Sequence, residues 1–288
     1  MVYNQEYHLK LLNITYENLI KGDVFEGGIR MFQEERLIAI LQKLNEKQRI
    51  TVTEICEWLQ ISWDTARRDL IKLEEQGSII RTRGGAMLPS ISKEVPNYEQ
   101  RLQLDTPSKQ AIGKMAATLI HDGDYLYTDS STTVRCAMEA MRTRRNVVVT
   151  NSIDLAGMLT QKDEIRIHLL GGLLDNEQRL VYGARTLEML SEYQVDKALL
   201  GTCGIAPHGL TTMFEEESYL IRQVMRKSDQ VIVLADHTKF GKKLFHRVAG
   251  LEGIDMIITD REPSDEMKEE LHKHQVELLI AGEGEHHD

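Results

Sequence analysis

Apolar residues recur at helical spacing from Phe32 onward, with Leu37, Ile38, Ile40, Leu41 and Leu44 on one face. A second, shorter helix is marked by Ile55, Trp58 and Leu59. It opens at Thr51 and Glu54, whose spacing is that of a capping box. After a tight turn at 60–62, Ala66, Leu70, Ile71 and Leu73 outline a third helix. Ser62 suits its N-cap, and Gly77 suits its stop near residue 76. Residues 79–83 have strand character, and Gly84-Gly85 permits a sharp bend. The order helix, short helix, turn, helix, β-ribbon predicts a winged helix-turn-helix over residues 31–88.

The remainder alternates differently. Strand-like runs at 125–128, 147–150, 165–170, 198–200, 231–235, 256–259 and 278–281 are interleaved with helical ones at 133–141, 153–159, 217–227 and 264–275. This predicts a mostly parallel sheet flanked by helices over 109–282. Pro89, Pro96 and Pro107 are three of the five prolines, and they mark 89–108 as an extended linker. The tail 283–288 is polar. Residues 1–30 precede a well-patterned helix beginning at Met31, and Glu26-Gly27-Gly28 just upstream is what a ribosome-binding site gives when read in frame. Met31 is therefore expected to be the natural start; a genuine amphipathic arm is the alternative.

The chain is 288 residues long and carries 35 Lys and Arg against 45 Asp and Glu, a net charge of −10. That excludes a uniformly basic coat for nucleic acid but not a local basic face. No apolar run approaches the roughly 18 residues a membrane span needs. The three cysteines are far apart, so neither a disulfide framework nor a zinc spacing is expected, and no metal or cofactor is called for. The cytoplasm is the expected compartment.

Ser62, Trp63, Asp64, Thr65, Arg67 and Arg68 occupy the first turns of the third helix, the part that meets base edges when such a helix lies in the major groove. The two arginines suit guanine edges or phosphates, and the hydroxyls suit phosphates. Arg81 and Arg83 on the ribbon suit backbone or minor groove. A plainer reading makes Asp64 and Arg68 a surface i,i+4 pair. In the larger region, polar or small residues gather after the predicted strands: Asp129, Ser130, Ser131, Thr132 and Thr133; Asn151; Gly171 and Gly172; Gly201; Asp236 and Lys239. Such ends bind ligands in parallel sheets, and hydroxyls at a helix start favour a phosphate. Capping alone explains 129–133 equally well, and Asp236 with Lys239 could be a structural ion pair. Neither a Walker pattern nor G-x-G-x-x-G occurs.

Residues 35–88 resemble the DNA-binding domain of DeoR-type bacterial repressors through Ser62, Thr65, Arg67-Arg68-Asp69-Leu70, Leu73-Glu74, Gly77, Arg81 and Gly84-Gly85-Ala86. Ala66 and Trp63 depart from that pattern. The resemblance continues through 109–124, Asp129 to Thr133, 150–152, 170–172, 182–184, 196–205, 209–212 and 235–241, as in the sensor domain of that family, which is similar in fold to ribose-5-phosphate isomerase. It implies an α/β sensor that binds a phosphorylated sugar and supports a homo-oligomer, with double-stranded operator DNA as the other partner. By position, Ser130 to Thr133 and Asn151 would hold the phosphate, and Asp236 and Lys239 would form the effector-responsive pair. Glu217 and Arg222 match a further helix in which Ile221 replaces a lysine. The implied function is a repressor of a carbohydrate catabolic operon; a sugar-phosphate isomerase-like enzyme carrying a DNA-binding head is the alternative.

Overall fold

The computed structural model describes residues 31–75, 78–88, 95–104 and 106–282. The N-terminal extension, the helix stop at Gly77, linker residues 89–94 and the tail 283–288 lie outside the described residues.

The head is built from α1 (Gln33–Lys47), β1 (Arg49–Thr51), α2 (Val52–Leu59), α3 (Trp63–Glu75), β2 (Ile80–Thr82) and β3 (Gly85–Met87). Local chemistry sets its boundaries. The Thr51 hydroxyl accepts from the Glu54 amide at 3.1 Å, while the Glu54 carboxylate accepts from the Thr51 amide at 2.8 Å, so the expected capping box is present. Apolar stripes of all three helices meet in one core that includes Ile40, Leu44, Ile55, Ala66, Leu70 and Leu73. The ribbon β2–β3 is joined by β1, a strand the periodicity did not mark, in an antiparallel sheet of order β1-β3-β2.

The stretch expected to be an extended linker is partly helical. α4 (Tyr98–Gln103) follows Asn97, whose side chain accepts from the Gln100 amide at 2.9 Å, and α5 (Thr106–Thr118) has Pro107 in its first turn. Proline lacks an N–H that the first turn would leave unpaired anyway, so Pro107 fits a helix start.

The sensor then runs through β4 (Tyr125–Thr128), α6 (Thr132–Ala140), β5 (Val147–Thr150), α7 (Ile153–Leu159), β6 (Arg166–Leu169), β7 (Leu173–Asp175), β8 (Leu180–Tyr182), α8 (Ala184–Ser191) and β9 (Val195–Leu200). β10 (Gly204–Ala206), β11 (Gly209–Thr212), α9 (Glu215–Arg226), β12 (Ser228–Leu234), β13 (His246–Ala249), β14 (Met256–Thr259), α10 (Asp265–Lys273) and β15 (Glu277–Ile280) complete it. Seven strands pair in parallel in the order β15-β14-β12-β9-β4-β5-β6. Successive residues of one strand serve opposite faces. Leu126, Val148, Leu199, Ile232 and Ile258 pack toward α5, α6 and α7. Tyr127, Val149, Leu200, Val233 and Ile257 pack toward α8, α9 and α10. Both faces being covered explains the unbroken apolar runs at Val147 to Val149, Ala198 to Leu200, Val231 to Leu234 and Met256 to Ile258.

One consequence of this order positions the site. From β4 the chain moves outward to β5 and β6; from β9 it moves the other way to β12, β14 and β15. The strand order therefore reverses between β4 and β9, and the crevice beyond their C-terminal ends is where such sheets hold ligands. The small antiparallel sheet β10-β11-β13 and the β7–β8 hairpin were not foreseen.

Candidate functional site

Two regions carry candidate chemistry. On α3, Ser62 caps the helix through its hydroxyl, which accepts from the Thr65 amide at 3.2 Å and lies 2.8 Å from the Thr65 hydroxyl. Ala66, Asp69, Leu70 and Leu73 are buried, leaving Trp63, Asp64, Arg67 and Arg68 exposed on the opposite face. The Arg67 guanidinium stands 5.7 Å from the Trp63 ring centroid, so the unusual tryptophan supports an arginine. Among the described residues no ion pair joins Asp64 to Arg68, which leaves both side chains uncommitted. The buried Asp69 anchors the helix instead, accepting from Arg36, whose pKa it raises, and from Gln33. Arg83 is exposed at the bend between β2 and β3. Arg81 is half-buried and held by Glu74 at 3.3 Å, so it braces the ribbon against α3.

The second region is a cavity of about 600 Å³ beyond the C-terminal ends of β4, β9 and β12. Asp129, Ser130, Ser131, Thr132, Thr133, Gly201, Asp236 and Lys239 all line it. Asp129 ties two strand ends together: one carboxylate oxygen accepts from the Ser131 amide at 2.9 Å and the other from the Gly201 amide at 2.7 Å. Gly201 is required there, because a Cβ would overlap the Ser131 side chain. Burial raises Asp129 to about 7 despite these two amides, helped by the nearby charge of Glu217. Ser131 caps α6 by accepting from the Thr133 and Val134 amides at 3.2 and 3.5 Å. The capping explanation for this loop is thus partly met. The hydroxyls of Ser130, Thr132 and Thr133, however, have no hydrogen-bond partner among the described residues, and all three line the cavity.

Asp236 accepts from the Thr238 amide at 2.9 Å and from its hydroxyl, and faces the Lys239 ammonium at 3.7 Å. Burial opposes its ionisation, but Lys239 and Thr238 outweigh burial and hold the carboxyl below its ordinary range. Lys242 is lowered to about 8 by burial and by Lys239. On the other side, Glu217 accepts from the Thr212 hydroxyl at 2.7 Å and is pushed up by burial; burial and Glu217 push the Cys203 thiol to about 11. The cavity therefore combines hydroxyls and cations with two carboxyls whose ionisation burial disfavours, a set suited to an anionic, hydroxyl-rich ligand.

Three expected residues lie elsewhere. Asn151 follows β5, on the far side of the strand reversal; its amide accepts from the Tyr127 hydroxyl at 3.1 Å and donates to the Val181 carbonyl at 3.1 Å. Gly171 and Gly172 follow β6. The Gly171 carbonyl accepts from the Thr186 hydroxyl at 3.0 Å, and a Cβ on Gly172 would overlap that hydroxyl, so this pair serves packing of the hairpin against α8. Arg222 donates to the carbonyls of Arg247 and Val248 and does not line the cavity. Residues the pattern did not single out include Arg101, Lys109 and Lys242, which do line it. Lys109 had a legible signal: it stands on the buried stripe Lys109, Ile112, Gly113, Ala116 of α5, where an apolar residue is expected.

Among the described residues there is no group of three or more His, Cys, Asp or Glu placed to hold a metal ion, and no helix long and apolar enough to cross a membrane. A family model described as the DeoR C terminal sensor domain matches residues 105–261, and one described as a DeoR-like helix-turn-helix domain matches residues 36–92. The chain is 48% identical over 258 residues to the HTH-type transcriptional repressor GlcR of Bacillus subtilis (strain 168), covering 90% of this chain and 100% of that one. It is 31% identical over 253 residues to the glycerol-3-phosphate regulon repressor of Escherichia coli (strain K12), covering 87% and 100%. Ribose 5 phosphate isomerase A from Neisseria gonorrhoeae superposes with a TM-score of 0.35 at 13% identity, over 47% of this chain and 53% of that one.

Proposed function

The chain belongs to the DeoR family of transcriptional regulators, and on that premise we propose that it represses a carbohydrate catabolic operon and that a phosphorylated sugar changes its affinity for the operator. The observation that carries this reading is the pairing, in one chain, of an exposed arginine face on α3 with a cavity at the strand reversal lined by unpartnered hydroxyls and by Lys239. Arg67 and Arg68 contact the duplex, and Trp63 holds Arg67 extended over the groove. Ser130, Thr132 and Thr133 receive the phosphoryl group together with Lys239, while Asp236 accepts from sugar hydroxyls. A symmetric oligomer sets two heads on repeated half-sites.

Ligand releases the operator only if it binds the free form better than the DNA-bound form; a coupling of about 1–3 kcal/mol is typical. The test is a thermal-shift screen of sugar phosphates on the full chain, followed by operator titrations with each hit. A hit that raises the melting temperature and shifts the operator midpoint at least fivefold supports the reading. A screen without a stabilising sugar phosphate, or hits that leave the operator midpoint in place, overturns it.

A further inference from the structure

Residues 95–104 precede the sensor in the chain and form one wall of the cavity through Val95, Pro96, Gln100, Arg101, Gln103 and Leu104. Their backbone is fastened to the sensor. Tyr98 is buried and its amide donates to the Glu177 carbonyl at 3.0 Å. The buried Lys109 ammonium donates to the carbonyl of Arg101 and, at 2.6 Å, to that of Leu104. Glu99 pairs with Arg179 at 2.8 Å. In sequence, this strap is what connects the cavity to the head.

Within the strap, the Arg101 side chain is under-satisfied. Its guanidinium lies 5.6 Å from the Tyr98 ring centroid and one terminal nitrogen donates to the Gln178 side-chain oxygen at 3.0 Å. The Nε atom is buried and has no hydrogen-bond partner. Its charge reaches Asp129, Glu217 and Cys203 and favours their ionised forms, yet no carboxylate among the described residues lies within ion-pair distance of it. Arg101 as a whole is half-buried, but an N–H buried without an acceptor is costly, and a neutral amide oxygen is a weaker acceptor than an oxyanion. Lys239, by contrast, is already matched with Asp236.

We propose that Arg101 is an effector contact: an oxyanion of the ligand accepts from Nε and takes the terminal nitrogen from Gln178, so that occupancy of the cavity is transmitted to the strap that carries the head. The inference rests on the reading of the cavity as an effector site and adds to it a residue and a route. A phosphoryl group and a sugar-acid carboxylate share the required chemistry. Arginine presents a planar fork to either, which lysine does not.

The test is calorimetric titration of the full chain with glucose 6-phosphate, fructose 6-phosphate, inorganic phosphate, gluconate and glucose. It compares wild type with Arg101→Gln, Arg101→Lys and, as a control on the exposed face of α8, Arg185→Ala. The tightest oxyanion is expected to lose about tenfold or more in affinity with Arg101→Gln, to recover only in part with Arg101→Lys, and to be unaffected by Arg185→Ala. Whether that oxyanion is a phosphate or gluconate identifies the source. The same variants are expected to shift the ligand concentration that releases operator by at least the loss in affinity. Wild-type affinity in Arg101→Gln overturns the role of Arg101 and leaves the effector site standing. Should Arg101→Gln melt below the assay temperature, wild-type affinity in Arg101→Lys overturns it equally. Absence of any oxyanion binding to wild type overturns both readings together.

Discussion

The guanidinium of Arg36 on α1 grips the carboxylate of Asp69 on α3 through two bonds, Nε to one oxygen at 2.7 Å and a terminal nitrogen to the other at 3.1 Å. Asp69 is fully buried and Arg36 is 13% exposed at its side chain. The pair crosses the head core and sets the angle at which α3 is presented, so that Arg67 and Arg68, its sequence neighbours, face outward.

Breaking such a pair costs about 3–5 kcal/mol when it strands a buried charge. Arg36→Ala strands Asp69 in the core, whereas Asp69→Ala leaves Arg36 close to solvent. Arg36→Ala is therefore expected to destabilise the head more than Asp69→Ala. Both tryptophans of the chain, Trp58 and Trp63, are in the head, so denaturant titration followed by tryptophan fluorescence reads this unit specifically. Equal midpoints for the two variants would count against the assignment.

Arg67→Ala and Arg68→Ala should each weaken operator binding by about 1–3 kcal/mol, or roughly 5- to 150-fold, while ligand-induced thermal stabilisation persists. Anisotropy titrations at several salt concentrations separate the two roles. A phosphate contact lowers the salt slope by about one when lost; a base contact leaves the slope and relaxes sequence preference. Loss of ligand stabilisation together with DNA binding would show that the substitutions unfold the chain.

Asp236→Ala removes the acceptor for Thr238 and the partner of Lys239. The expected product is a repressor that stays on its operator when the sugar phosphate is added. A shifted ligand dose-response of less than twofold in gel-retardation titrations would exclude Asp236 from the effector response.

Asp129 titrates at about 7 in the folded chain against the usual 3.8, because burial disfavours the charged form. The folded state holds this proton longer than the unfolded state. Its stabilising contribution is therefore complete below about pH 4 and is lost as pH rises to about 7. Ionised Asp129 also repels an anionic ligand, and Lys242, lowered to about 8, loses its charge just above that point. Affinity for a sugar phosphate is expected to fall between pH 7 and 9, where the ligand itself is already a dianion. Calorimetry across that interval checks this, with Lys242→Met removing the upper part of the fall. A flat profile in wild type would show that neither group faces the ligand.

Much of this protein was decided locally and was legible in its residues. The Thr51–Glu54 box, the Ser62 cap and the apolar stripes of α1 to α3 depend on neighbours three or four positions away, and they specify the head almost completely. The same holds for the strand runs and for the Asp129 to Thr133 loop. Strand order, by contrast, belongs to no single strand: β5 and the second half of β9 both present short apolar runs, Val147 to Val149 and Ala198 to Leu200, and burial of both faces is satisfied by any arrangement of such strands. Only the assembled sheet put the reversal between β4 and β9. It gathered Asp129, Gly201 and Asp236 into one cavity and left Asn151, Gly171 and Gly172 on the outer strands to serve packing. Tertiary contact likewise decided that Arg81 braces Glu74 and that Lys109 pegs the strap, since a charge reveals its partner only once distant elements meet.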